Sequence, residues 1–371
     1  MSELSRDVSP AIVVVAFNRP SALTRLLRTL DRANYGGRED IQLVISLDFS
    51  DERETAQIAN SFEWKAGPKR IIEHRQRLGL KNHVMSCADL ASEYGAIILL
   101  EDDLAVAPEF YNYSRQALAF YHRDPAIAGI SLYSFVYNEF ANIPFRAIDD
   151  GNEVYFVRSA VSWGQIWTAD QWAGFRAWFD ANGAEERFLA VPKAVKEWRK
   201  TSWKKYFNAY LAAERKYFVV PRYAMSTNTG ESGTHFPSLV TYQTAPLAFG
   251  HRCFRFTPLG ESRARYDAFF EIEPECLKSY VPALRDFDFC TDLNGTKEAS
   301  HRDAPYVLTS RAARNPAISY GFRHFPPELN VILEEPGNFL HLARSHDARD
   351  LPAKKVRTMR YFFVRPFRRW F

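Results

Sequence analysis

The chain has 371 residues, of which 46% are hydrophobic and 25% are charged, and this globular composition excludes disordered, collagen-like and coiled-coil proteins. Its formal net charge is +4, but residues 354–371 hold seven basic and no acidic side chains, so residues 1–353 carry a net charge of −3. A mildly acidic body argues against a broad nucleic-acid-binding surface.

The cysteines and the N-terminus indicate a cellular compartment. The four cysteines are too widely spaced for a CxxC arrangement and are typical of free thiols in a reducing compartment: Cys87, Cys253, Cys276 and Cys290. The first seven residues are polar and do not resemble a signal peptide. No apolar run approaches the roughly 18 residues that span a bilayer. We therefore expect a cytoplasmic protein.

The first hundred residues alternate strand and helix patterns. Continuous apolar, β-branched runs predict buried strands, and the stretches between them predict helices, the first with Leu23, Leu26, Leu27 and Leu30 at helical spacing. Strands are predicted at 11–17, 41–47, 70–74 and 96–100, and helices from about 20, at 52–62 and at 81–92. This alternation predicts an α/β fold with a mostly parallel sheet. Beyond residue 242 the periodicity weakens, which predicts irregular structure with short helices.

Polar side chains follow three of the predicted strands. Asn18 and Arg19 follow the first, Asp48 the second, and the triplet Glu101-Asp102-Asp103 the fourth. Ligands of open parallel sheets bind beyond the carboxyl ends of the strands, so we expect a binding site there.

Three consecutive carboxylates repel one another unless a cation neutralises them. Mg²⁺ and Mn²⁺ prefer oxygen ligands and are held by one or two carboxylates together with substrate phosphates. The triplet therefore predicts a divalent cation that grips a diphosphate leaving group. The alternative is a solvated acidic turn that caps the helix predicted near Pro108.

Three segments resemble the GT-A-fold glycosyltransferases, above all the N-acetylglucosaminyltransferase I type and its bacterial polysaccharide-biosynthesis relatives. They are Val13–Leu23, Ile45–Asp48 and Leu100–Phe110; 157–167 is similar to the acceptor-side segment of that group, and 227–235 to a closing loop of its bacterial members. The likeness covers roughly residues 10–240. It implies a GT-A (Rossmann-like) fold and sugar transfer from a nucleotide-diphosphate sugar, a UDP-sugar first of all.

The resemblance also implies roles for individual residues. Phe17, Asn18 and Arg19 would border the nucleotide, and Asp48 would contact its base, although a turn or helix cap also explains an aspartate there. Asp103 would coordinate Mn²⁺ or Mg²⁺, while Glu101 and Asp102 would face the donor sugar and the ribose.

One departure concerns the general base. Where the eukaryotic relatives carry an acidic pair after a tryptophan, this chain has Lys204 and Lys205, and a protonated lysine is a poor base. The correspondence could be shifted, another carboxylate could act, or the reaction could retain the anomeric configuration. The lysines would then bind a phosphate or form a solvated helix face.

Glu231, in a glycine-rich loop that could close over a substrate, is the substitute base, and together with Asp102 it completes the catalytic candidates. His235 is a candidate second metal ligand. The alternative for Glu231 is a solvated loop side chain. Trp163 and Trp167 are candidate platforms for a sugar ring, whereas the other tryptophans are expected in the core.

The last 18 residues interleave seven cations with six aromatic side chains. This pattern favours peripheral contact with an anionic membrane, and the alternatives are RNA binding or packing onto the domain. We expect a GT-A domain at 1–240, an extension packed on it at 241–350, and a basic aromatic tail at 351–371.

Together these observations predict a metal-dependent hexosyl- or N-acetylhexosaminyltransferase. It would act on a glycan or lipid-linked acceptor of bacterial lipopolysaccharide or capsule synthesis, on the inner face of the cytoplasmic membrane. A catalytically inactive sugar-nucleotide-binding or scaffold homologue is one alternative. A sugar-nucleotide pyrophosphorylase is another, although the glycine-rich loop of those enzymes is missing after the first strand.

Overall fold

The computed structural model describes residues 9–183, 191–230, 242–250 and 253–349. These residues form two compact units. The first comprises the described residues within 1–135, 152–189 and 195–257, and the second those within 136–151, 190–194 and 258–371. The predicted boundary after residue 240 stays a prediction, because residues 231–241 lie outside the described ranges.

The strands, in chain order, are β1 (Ala11–Ala16), β2 (Leu43–Leu47), β3 (Lys69–Glu73), β4 (Ala96–Glu101), β5 (Leu104–Val106), β6 (Ile127–Ser131), β7 (Tyr137–Asn138), β8 (Ile143–Pro144), β9 (Val154–Val157), β10 (Gln165–Thr168), β11 (Tyr217–Pro221), β12 (Ser226–Asn228), β13 (Arg265–Tyr266), β14 (Phe289–Asp292), β15 (Tyr306–Thr309), β16 (Ile318–Tyr320) and β17 (Leu340–Arg344). The α-helices are α1 (Pro20–Asp31), α2 (Glu54–Ser61), α3 (Gly79–Ala88), α4 (Ala91–Tyr94), α5 (Phe110–Tyr121), α6 (Ala169–Asn182), α7 (Lys193–Glu197), α8 (Trp203–Ala213), α9 (Pro274–Tyr280) and α10 (Glu328–Ile332). None of these helices is both long and apolar enough to cross a membrane.

The central sheet lies in the first unit, where its strands have the order β9-β11-β6-β10-β4-β1-β2-β3. Strand β1 pairs in parallel with β2 and β4, β2 with β3, and β6 with β11, whereas β10 is antiparallel to both of its neighbours and β9 is antiparallel to β11. The prediction of a mostly parallel α/β sheet is confirmed. All six residues of β1 are buried, as expected for a strand covered on both faces.

The parallel pairing sets where the polar side chains lie. Val15 of β1 is in register with Glu101 of β4, and the backbone N–H of Asp48 donates to the carbonyl of Ala16 at 2.9 Å. The carboxyl ends of β1, β2 and β4 therefore meet at one edge of the sheet. The residues that follow these three strands therefore lie at this same edge of the sheet.

The second unit contains a four-stranded sheet in the order β14-β15-β17-β16, with only β14 and β15 parallel. These strands have three to five residues each and are not predicted from the sequence. So short a run holds too few residues to establish a two-residue period. The expected irregular structure between 243 and 350 is therefore wrong for this part of the chain.

Candidate active site

The acidic triplet lies at the turn between two strands of the first unit. Glu101 is the last residue of β4, and Asp102 and Asp103 lead into β5. The Asp102 side chain is 2% exposed, whereas that of Asp103 is 27% exposed. The triplet is therefore not the solvated turn that the alternative interpretation describes, because at least Asp102 is removed from water.

Arg19 neutralises part of this charge. It lies directly before α1, and its Nη1 donates to Asp103 Oδ2 at 2.9 Å while Nη2 donates to Asp102 Oδ1. Burial acts to lower the pKa of the guanidinium, but the carboxylates of Asp103 and Asp102 outweigh it, so the pKa of Arg19 is raised. Arg19 thus stays charged and holds both carboxylates in place.

Two carboxylate oxygens remain without a hydrogen-bond partner in the described part of the chain. They are Asp102 Oδ2 and Asp103 Oδ1, and both are buried. A buried carboxylate oxygen without a partner is costly, and it has the chemistry that a hard divalent cation prefers. These two oxygens therefore fit a metal site completed by substrate phosphates. Among the described residues, no three His, Cys, Asp or Glu side chains form a metal-binding cluster by themselves.

The pKa values of Asp102 and Glu101 reflect the same burial. Burial raises the pKa of Asp102 to about 6, against the lowering effect of Arg19. Burial and the neighbouring Asp103 carboxylate raise the pKa of Glu101 to about 8, although Arg19 and Lys204 act in the opposite direction. The site concentrates negative charge beyond what Arg19 compensates.

Asp48 is engaged with the start of α3. Its Oδ1 accepts hydrogen bonds from the backbone N–H groups of Leu78 at 2.7 Å and Phe49 at 2.9 Å, and its Oδ2 accepts from Gly79 at 3.0 Å. This arrangement matches the helix-cap alternative. A contact with the nucleotide base stays a prediction.

A shallow depression opens beside Asp48. Phe17 and His74 contribute to its lining, and the guanidinium of Arg77 lies 4.0 Å from the centroid of the Phe17 ring. Sequence reasoning missed Arg77, since nothing in its local pattern indicates that it stacks on a residue 60 positions earlier. Asn18 follows Phe17 and is exposed.

The 157–167 segment contributes one half-buried and one buried tryptophan. The Trp163 ring is half-buried and lies 4.7 Å from the Tyr133 ring in an edge-to-face arrangement. Trp167 is 0% exposed and packs on Trp172 and Phe207. Trp167 therefore belongs to the core, and its prediction as a sugar platform is wrong.

The two lysines at the position of the expected base differ from each other. Lys205 is 3% exposed and its Nζ donates to the carbonyl of Trp198 at 3.0 Å, so the interpretation as a solvated face is wrong for this residue. The Nζ of Lys204 lies 5.0 Å from the Trp198 ring centroid and 5.9 Å from that of Trp163. Helix α8 contains no carboxylate that could act as the base in place of either lysine.

The chain that leads to the glycine-rich loop runs past Asp103. Strand β12 pairs antiparallel with β5, and the backbone N–H of Thr229 donates to the Asp103 carbonyl at 3.2 Å. Arg25 of α1 donates to the Thr229 hydroxyl at 3.3 Å. Helical spacing places Arg25 on the polar face of α1, but the sequence does not reveal this partner. Glu231 and His235 lie outside the described residues.

Residues 11–177 match the sequence model of glycosyl transferase family 2. The match covers less than half of the chain, and this part of the protein is similar to glycosyltransferase domains. The predicted α/β fold is confirmed by the sheet, and the family match agrees with the predicted enzyme class. No curated protein gives a significant match to the sequence.

Three solved structures show remote similarity to this chain. TarS (residues 1–349) of S. aureus has 14% identity and a TM-score of 0.37, with 58% of this chain and 59% of that chain covered. GalNAc-T7 with UDP, GalNAc and Mn²⁺ has 11% identity and a TM-score of 0.39, covering 59% and 43%. The mannosyltransferase PcManGT of Pyrobaculum calidifontis, in complex with GDP-Man and Mn²⁺, has 10% identity and a TM-score of 0.36, covering 63% and 61%. The matches span less than two thirds of each of these proteins, and they are too remote to add to the family match.

Proposed function

We propose that this protein is a metal-dependent glycosyltransferase that uses a nucleotide-diphosphate sugar, a UDP-sugar first of all. Its acceptor would be a glycan or lipid-linked sugar of bacterial surface polysaccharide synthesis, lipopolysaccharide or capsule. The observation that carries the metal and the donor is the pair of buried carboxylate oxygens without partners, Asp102 Oδ2 and Asp103 Oδ1, at the carboxyl end of β4.

In this proposal each residue at the sheet edge has a separate task. Asp103, with Asp102 beside it, would hold Mn²⁺ or Mg²⁺. The cation would stabilise the negative charge of the departing nucleoside diphosphate. Arg19 fixes the two carboxylates, so little reorganisation is needed when the donor binds. Phe17 and Asp48 border the depression in which the nucleotide would lie.

The acceptor hydroxyl needs a group that accepts its proton. Glu231 remains our candidate for this base, with His235 as a possible further ligand of the cation, and Glu101 would face the donor sugar. Thr229, which contacts Asp103, precedes Glu231 by two residues.

Peripheral attachment to the inner face of the cytoplasmic membrane, through the basic aromatic residues 354–371, is part of the same proposal. The composition of this segment supports it, because each basic residue near an anionic surface contributes about 1 kcal/mol. Residues 354–371 lie outside the described ranges.

The donor site is tested by thermal unfolding with a panel of nucleotide sugars, with and without Mn²⁺, on wild type, Asp103→Asn and the exposed control Asp51→Asn. A ligand that binds the native state raises Tm by mass action. We expect a metal-dependent rise with one UDP-sugar in wild type and Asp51→Asn, but not in Asp103→Asn. Release of free UDP in the presence of acceptor would then separate an enzyme from an inactive homologue. Absence of any shift across the panel would refute the proposal.

A further inference from the structure

The segment 196–205, which leads into α8, is strongly basic. It holds five cations and one carboxylate, a net charge of +4, within residues 1–353 whose total charge is −3. The remainder of that body therefore carries −7. So local a concentration of positive charge on an acidic protein indicates a partner or substrate of opposite charge. The cations are Lys196, Arg199, Lys200, Lys204 and Lys205.

This basic segment is held in one conformation by its own helix. The buried Lys205 donates to the Trp198 carbonyl at 3.0 Å, and the hydroxyl of Tyr206 donates to the Lys200 carbonyl at 3.3 Å. Both hydrogen bonds fix the main chain, while Arg199 and Lys200 stay exposed. The charges of Arg199 and Lys200 are therefore displayed on a backbone that these hydrogen bonds hold in place.

Lys204 connects this segment with the acidic triplet. Its ammonium lies between the rings of Trp198 and Trp163, both half-buried, and cation–π attraction favours this position. It also interacts with Glu101, whose pKa it acts to lower. Asn208 fixes the backbone here, because its Nδ2 donates to the Lys204 carbonyl at 2.9 Å and its Oδ1 accepts from the Ala160 N–H at 3.1 Å.

Trp163 lies on the same side as β12 and Asp103. Its carbonyl accepts a hydrogen bond from the hydroxyl of Ser226, the first residue of β12, which pairs with the strand that follows Asp103. The half-buried Trp163 ring and the Lys204 ammonium thus form an aromatic and cationic pair at the border of the triplet. Such a pair has the chemistry to pack against the apolar face of a sugar and to bind an anion attached to it.

Resting on the proposed transfer from a nucleotide sugar, we propose that the acceptor is an anionic glycan. Lys204 binds a phosphate or carboxylate group on the acceptor, and Trp163 packs on the sugar that carries it. Without these cations the acidic triplet would repel an anionic acceptor, because the negative charge of the triplet exceeds the positive charge of Arg19. Lysine acts toward phosphate as a mobile point charge, so one ammonium serves either anion.

The test uses the full-length protein on an immobilised series of oligosaccharides in matched neutral, phosphorylated and uronic-acid forms. Wild type is compared with Lys204→Met, Lys204→Arg and the exposed control Lys65→Met, after thermal unfolding has shown that all are folded. We expect wild type to bind one anionic form at least about tenfold more tightly than its neutral counterpart. Lys204→Met loses this preference, whereas Lys204→Arg and Lys65→Met keep it.

The phosphorylated and uronic-acid arms identify which anion is bound. Equal binding of neutral and anionic forms by wild type, no binding to any anionic form, or an unchanged preference in Lys204→Met would overturn the proposal. A single-stranded RNA oligonucleotide bound more tightly than every glycan in a Lys204-dependent manner would do the same. Nucleotide-sugar binding is measured in parallel, so failure of the donor site is distinguished from failure of the acceptor site.

Discussion

Arg19 and Asp102 form an ion pair across the carboxyl ends of β1 and β4, in which Nη2 donates to Oδ1 while Oδ2 stays buried without a partner in the described residues. One guanidinium is shared between Asp102 and Asp103, so the negative charge of the two carboxylates is only partly neutralised. A second cation would complete the compensation, and the stability of the protein should therefore respond to divalent metal.

We expect Arg19→Met to lower the free energy of unfolding by about 2 kcal/mol without metal, because it leaves the buried Asp102 carboxylate unpaired. Saturating Mn²⁺ with the nucleotide diphosphate should recover much of this loss. Chemical denaturation with and without Mn²⁺ measures both effects, and Arg28→Met, at an exposed position of α1, is the control. A loss that Mn²⁺ leaves unchanged would contradict a metal at this site.

Asp48→Ala separates the two roles considered for this carboxylate. Removal of its oxygens leaves the backbone N–H groups of Leu78 and Gly79 without their acceptor, so we expect a loss of about 2 kcal/mol in stability. Urea denaturation compares it with Asp51→Ala, which is exposed. Unchanged stability together with lost nucleotide binding would show that the carboxylate serves the nucleotide alone.

Gly164 supports the position of Trp163 through its backbone. Its φ is +92°, and a Cβ there would lie 2.8 Å from Ser226 Oγ and 3.2 Å from Leu132 Cβ. We expect Gly164→Ala to destabilise the protein by roughly 2 kcal/mol or more and to lower transfer to the acceptor, because strain and crowding act together. Gly250→Ala, whose Cβ would meet open space, should leave the melting temperature unchanged. Equal stability of both variants would argue against this geometry.

Glu328 in the second unit makes stability depend on pH. It is 5% exposed and accepts a hydrogen bond from the Tyr266 hydroxyl at 2.8 Å, and burial raises its pKa from 4.5 to about 7. The folded state keeps this proton between pH 4.5 and 7 while the unfolded state loses it, so stability falls as the pH rises through that window.

Because Gln cannot ionise, Glu328→Gln should be more stable than wild type at pH 8, by up to about 3 kcal/mol. The two proteins should converge well below pH 4.5, where Glu328 is protonated in both the folded and the unfolded state of wild type. Thermal unfolding across this pH range measures the difference, and the exposed Glu275→Gln is the control. A constant difference at all pH values would indicate a packing effect instead of titration.

The first four strands and the acidic edge of the sheet could be predicted from the sequence because each depends on local pattern. A strand buried on both faces is a continuous apolar run, and Ala11–Ala16 is one. The position of Asp48 at the end of β2 can also be predicted from the sequence. Its partners cannot, because a helix cap and a nucleotide contact both place an aspartate after this strand.

The interactions that could not be predicted join distant parts of the chain. Arg19 and Asp102 are 83 residues apart, and no local pattern encodes their pairing. The sequence does not reveal that Lys205 is buried. Helix α8 is buried on nearly all sides, so its sequence lacks the polar stripe that marks an exposed face. The buried lysine donates to the carbonyl of Trp198, seven residues earlier, and sequence periodicity does not report this contact.

The side chains of Lys205 and Tyr206 donate hydrogen bonds to the backbone carbonyl oxygens of residues 198 and 200. Every amino acid has such a carbonyl oxygen. The side chains between them can therefore be exchanged without removing either hydrogen bond. In a protein engineer's terms, the exposed residues 199–201 are an interchangeable segment on a fixed backbone. Random libraries confined to these three positions should alter which acceptors are used while the yield of folded protein is preserved.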